Sequence, residues 1–205
     1  MFGIDKEKRF WKWFEKNNSK FLFINEVEPD IKEQHLNEFL RELHRVNDRL
    51  YFLIGGHPDN KKVELIITPE GIKELFPVVE QLVSKAPELH DWEIIAFKPA
   101  QGAGFVTEFG GRKFDPKEID FIPLDNQDDP SLVGIQVIYP DFTNDERDIF
   151  FAATYQVIDT LIGERSTTLD IDYLDITVTP EETSELTTLK LTELENFISK
   201  KKNAG

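Results

Sequence analysis

The 205-residue sequence predicts an α+β protein with a mixed sheet, and three observations carry that expectation. Alternating strand segments and amphipathic helical segments follow the order strand, strand, helix, strand twice, at about 50–98 and 118–179. An aromatic-rich helix precedes the first set. The composition is 40% hydrophobic with 17 Phe, far too apolar for a disordered chain. The length lies between one large domain and two small ones, and the reading taken is one compact α+β domain over 1–205.

The elements follow in chain order. Phe10, Trp13, Phe14 and Asn17 share one stripe at helical spacing, so 5–17 reads as an amphipathic helix, with Trp11 set about 100° off that stripe. A second helix is expected from Asp30, spaced with Glu33 as a capping box, to about Asn47, with Leu36, Phe39, Leu40 and Leu43 on its apolar face. Strands are expected at 50–54 and 63–67, parted by the Gly55-Gly56-His57-Pro58-Asp59-Asn60 turn. Thr68-Pro69-Glu70 reads as a helix start running to about Lys85, kinked or broken at Pro77.

Strands at 92–97, 105–109, 119–122 and 132–139 come next, the second ending at Gly110-Gly111. The plainest helix opens at Thr143 with Glu146 as its box partner. It buries Phe150, Thr154, Val157, Ile158 and Leu161 and stops at Gly163. In 169–178 the apolar positions change parity between Tyr173 and Leu174, which requires one extra residue, a β-bulge. Thr179-Pro180-Glu181 repeats the Thr68-Pro69-Glu70 punctuation, and a short helix at about 192–200 closes the chain. Within each ββαβ set, the first two strands should form an antiparallel hairpin and the strands flanking the helix should be parallel.

Four stretches, Phe10-Trp11-Lys12-Trp13-Phe14, Glu64-Leu65-Ile66-Ile67-Thr68-Pro69-Glu70-Gly71, Trp92-Glu93-Ile94-Ile95-Ala96-Phe97-Lys98-Pro99 and Asp159-Thr160-Leu161-Ile162-Gly163-Glu164, give the sequence its most distinctive wording. In these it resembles a family of bacterial proteins to which no activity is assigned. The resemblance implies one family along most of the chain and transfers no functional residue.

Composition excludes several functions. With no Cys there is no disulfide, thiolate metal site or Cys nucleophile. No apolar run approaches the roughly 18 residues of a spanning helix, no secretory signal is visible, and a cytoplasmic location is the expectation. The formal net charge is −15, which argues against nucleic-acid phosphates and anionic membranes as partners. That charge is concentrated: 115–185 holds 18 Asp and Glu against 3 Lys and Arg, while the remainder holds 21 of each sign.

Candidate site residues are few. His35 and His44, nine apart on one helix, face opposite ways and cannot share a metal. His57, after two glycines, could present an imidazole at a pocket rim, against an ordinary turn residue. Gln101-Gly102-Ala103-Gly104 lacks the helix and the Lys of a phosphate loop and reads as a loop between strands. Asp170, Asp172 and Asp175 are the foremost acidic cluster, with Asp170 and Asp172 expected on one sheet face; Asp125, Asp128 and Asp129 are the second. The competing reading of the first cluster is a solvated strand face whose charge discourages edge pairing. Trp11 and its aromatic neighbours suit an interface or burial against the sheet.

No metal, cofactor or catalytic triad is expected. The functional expectation is a non-enzymatic binding protein whose acidic 115–185 surface meets a basic protein, an immunity or inhibitor type being one version by analogy. The alternative is a carboxylate-based small-molecule enzyme using Asp170, Asp172 and Glu108, with His57 as acid or base. A third reading is that the acidity serves only solubility.

Overall fold

A computed structural model describes residues 5–56, 61–125, 132–179 and 187–204. The chain divides into two compact units, Met1–Lys98 with a three-stranded sheet and Pro99–Gly205 with a two-stranded and a four-stranded sheet.

In the first unit, α1 (Lys6–Asn17) is capped by Asp5, whose Oδ1 accepts the Lys8 N–H at 3.2 Å. A short turn of helix, α2 (Ser19–Leu22), leads to α3 (Pro29–Leu43), which Pro29 opens, so Asp30 lies in the first turn rather than at the cap. The sheet contains β1 (Tyr51–Gly55), β2 (Val63–Thr68) and β3 (Trp92–Ala96) in that order. β1 and β2 are antiparallel with Leu53 opposite Ile66, and β2 and β3 are parallel with Leu65 opposite Ile94. The Phe39 ring lies 4.0 Å from that of Phe52 and the Phe14 ring 5.1 Å from that of Trp92. α1 and α3 therefore cover the face that Phe52 and its cross-strand partner Ile67 share.

Between β2 and β3 the chain makes a turn closed by the Ile72 N–H on the Pro69 carbonyl, then a 3-10 turn (Lys73–Leu75), then α4 (Phe76–Ser84). The helix thus opens later than Thr68-Pro69-Glu70 suggested. Pro77 falls in its first turn, where no helical bond is lost, and causes neither kink nor break.

The second unit starts with a hairpin of β4 (Thr107–Phe109) and β5 (Arg112–Phe114), then β6 (Asp120–Asp125) and β7 (Val133–Ile138). A 3-10 turn (Asn144–Glu146) precedes α5 (Arg147–Ile162), and β8 (Ile171–Thr177) follows after α6 (Glu164–Asp170). β9 (Leu189–Lys190), a 3-10 turn (Leu191–Glu193) and α7 (Leu194–Ala204) complete it. Strand order is β8-β7-β6-β9, with β6 antiparallel to β7 and to β9, and β7 parallel to β8. All five expected residues of the α5 stripe are buried, and Phe150, Val157, Ile158 and Leu161 join Phe121, Ile135, Val137, Leu191 and Ile198 in one core.

Thr143 caps the 3-10 turn and not α5 itself. Gly163, at φ 84°, ends α5 and the chain starts α6 at once, an element the periodicity does not show. The bulge is present just before the expected Tyr173–Leu174 step: Ile171 faces Val133, Tyr173 faces Gly134, and Asp172 is the extra residue. Strand order and directions in β1-β2-β3 recur in β6-β7-β8, so both ββαβ units stand. Even the exit from the middle strand repeats, with the Phe142 N–H on the Tyr139 carbonyl at 3.1 Å matching Ile72 on Pro69 at 3.2 Å.

Candidate functional site

At the exit of β7 the second unit has a half-open cavity of about 270 Å³, and local sequence explains why it forms there. Phe109-Gly110-Gly111-Arg112 is a two-residue hairpin connection with φ of 57° and 77° at the glycines, the conformation this turn demands. A Cβ on Gly110 would stand 2.7 Å from Cγ2 of Ile149, so the hairpin lies directly against α5. That contact brings Arg112 over the start of the helix.

The Arg112 guanidinium is fully occupied. Nη2 donates to both carboxylate oxygens of Glu146 at 2.9 Å and Nη1 donates to Asp141, while Cζ sits 5.1 Å from the centre of the Phe150 ring. The Glu146 hydrogen bonds raise the pKa of Arg112, and Arg112, helped by the Thr143 hydroxyl, holds Glu146 below the usual carboxylate range. Beneath lies an aromatic floor, with Phe150 5.0 Å from the Tyr139 ring and 5.7 Å from that of Phe114. The Tyr139 hydroxyl and Thr154 Oγ1 are 2.9 Å apart, and burial pushes the phenol up to about 12.

Asp115 and Glu118 also line the cavity, and among the described residues neither has a cationic partner; the Asp115 carboxylate accepts only the Lys117 N–H. Lys113, the other cation at the wall, pairs with Glu108 at 3.2 Å. The unit carries 21 Asp and Glu against 9 Lys and Arg, a net of −12. Its cavity offers two carboxylates over an aromatic floor, with no nucleophile and with a phenol that stays protonated at neutral pH. The volume is just under the roughly 300 Å³ at which small-molecule sites begin, room for a side chain rather than a cofactor.

Among the described residues, those singled out in the sequence do not line this cavity. Asp170 ends α6 instead of standing on a strand, is 8% exposed, and holds Ser166 Oγ at 2.6 Å and Lys202 Nζ at 2.8 Å. It therefore does not share a sheet face with Asp172, the exposed bulge residue. Asp175 accepts from Arg147 at 3.2 Å and Gln136 at 3.3 Å; burial pushes its carboxyl up, but the Ile176 N–H, Arg147 and Gln136 outweigh it and lower the pKa. Trp11 is buried, and its indole N–H donates to the Leu82 carbonyl at 2.8 Å, so it packs the first unit and presents no surface. No helix opens after Gln101–Gly104; β4 follows. His57, Asp128, Asp129, Pro180 and Glu181 lie outside the described residues, as does the side chain of Asp125.

Among the described residues, no group of three or more His, Asp or Glu is placed to hold a metal ion, and no helix is long and apolar enough to cross a membrane. Sequence reasoning missed Arg112 and its cavity. The available signal was the Gly-Gly pair between two short strand segments, which pairs Arg112 with Phe109 and so sets it against the start of α5. Fold and site together define a class: an α+β protein of two ββαβ units with a carboxylate-lined aromatic cavity in the second. No protein-family model, curated protein or solved structure matches the chain.

Proposed function

We propose that this is a non-catalytic binding protein whose acidic 99–205 unit meets a basic protein, with the β7 cavity receiving a cationic side chain of that partner. The single observation that carries the reading is the pair Asp115 and Glu118, carboxylates without a cation above an aromatic floor, in a unit of net charge −12. A Lys or Arg side chain suits such a place, its apolar stem against rings and its head on carboxylates. The field of the unit would steer a basic partner toward it and fade with salt. An inhibitor of a basic toxin or nuclease is one version, by analogy.

The carboxylate-enzyme alternative has less support. Asp170 is tied to Ser166 and Lys202, Asp172 is on the bulge, and Glu108 is paired across the β4–β5 hairpin. Affinity capture from the source cells, with the full chain as bait and D115N/E118Q as control bait, tests the proposal. The expected result is a basic protein released by rising salt and held at least about tenfold less tightly by the double variant. A captured partner that ignores both salt and the two substitutions would refute it.

A further inference from the structure

In the two larger sheets, three of the four edge strands carry a recognised protection against adding another strand. β8 has the bulge at Asp172 together with Asp175, β9 is two residues long and ends in Lys190, and β3 has the exposed Glu93. β1 has none. Its sequence, Tyr51-Phe52-Leu53-Ile54-Gly55, contains no charge, proline or bulge; among the described residues it pairs only with β2, and Tyr51 and Leu53 are 45% and 46% exposed.

The second ββαβ unit shows what belongs on such an edge. Its counterpart of β1 is β6, and β6 is flanked on the outer side by the antiparallel strand β9, Phe121 facing Leu189. We propose that the outer edge of β1 pairs antiparallel with β1 of a second copy of this chain, joining two three-stranded sheets into one of six strands.

Two further observations favour a second copy as the occupant. A two-fold axis makes like strands antiparallel of necessity, the direction that β9 has against β6. Centred on Leu53, the axis also places Tyr51 across from Gly55 of the other copy and Phe52 across from Ile54, with no like charges opposed. An aromatic ring opposite a strand glycine covers the backbone that glycine leaves bare. Charge permits this meeting in the 1–98 unit, which carries 15 Lys and Arg against 18 Asp and Glu, whereas the −12 of the other unit would oppose it there.

Sedimentation of the full chain and of Leu53→Glu and Leu53→Lys tests the pairing. Because Leu53 is half exposed, both variants should keep the wild-type far-UV spectrum. Wild type should reach twice the 23.8 kDa chain mass as concentration rises, and each variant alone should stay at the monomer mass. An equimolar mixture of the two should recover the dimer, since opposite charges then face each other on the axis. A wild-type chain that stays monomeric at every concentration, a dimer that both variants retain, or a mixture that stays monomeric overturns the proposal.

Discussion

Tyr139 links the core of the second unit to its cavity, and its titration is where pH should be felt. Its folded pKa of about 12 exceeds the ordinary 10.0, so the unfolded chain ionises first as pH rises. The stability it secures is complete below pH 10 and is lost between 10 and 12, a change of about 3 kcal/mol for a two-unit shift. Tyr139→Phe should remove most of that alkaline loss at a cost of about 1 kcal/mol at neutral pH, because Thr154 keeps its bond to the Phe150 carbonyl. Melting curves of both proteins from pH 8 to 12 check this; equal alkaline slopes would exclude Tyr139 as the cause. Other residues tell how far sequence reasoning reaches. Phe10 and Phe14 were legible because a stripe reports the face toward the nearest layer. Trp11 was not, since α1 also meets α4, and that second contact buries a ring about 100° away.

The β4–β5 hairpin is the element on which the cavity depends, and its two glycines should differ. Gly110→Ala meets both the left-handed backbone and the Ile149 methyl at 2.7 Å, while Gly111→Ala, also at positive φ, has no atom within 4 Å of its Cβ. The first should cost about 2–3 kcal/mol and the second about 1, by chemical denaturation. Equal costs would show that close packing against α5 is not what requires glycine. α5 and the bulge could be read from periodicity, and β2 and β7, buried on both faces, from apolar runs bounded by turn residues, whereas β5 and β9, three and two residues long, are too short to show either signal. The 3-10 openings of α4 and α5 could not, since proline and cap residues mark the end of a strand as well as the start of a helix. α6 escaped for a related reason: its seven residues are too few to show a helical period.

For the molecule as a whole, the division at Lys98 and Pro99 separates a nearly balanced unit from a strongly acidic one, each with its own sheet. Length alone leaves one domain or two open, and a repeating element order is compatible with either. The 99–205 segment closes its own core from β6 to α7, so, expressed alone, it should melt cooperatively with its far-UV signal intact. A fragment without a cooperative transition would show that its core needs residues 1–98. Charge distribution was legible from the first, whereas the place where that charge meets an aromatic floor depended on a hairpin reaching back over a helix.

The bulge has a meaning of another kind. Pairing between β2 and β3 runs unbroken from Val63 opposite Trp92 to Ile67 opposite Ala96, whereas between β7 and β8 it skips one residue after Val133. If the two units are descendants of one ancestral segment, Trp92 corresponds to Ile171 and Glu93 to Tyr173, and Asp172 has no counterpart at all. It is then a codon gained by one lineage or lost by the other after they parted. A single residue of length, absorbed within the ladder, leaves every pair after it in step, so the strand that follows the bulge still ends beside Ile138 as β3 ends beside Ile67.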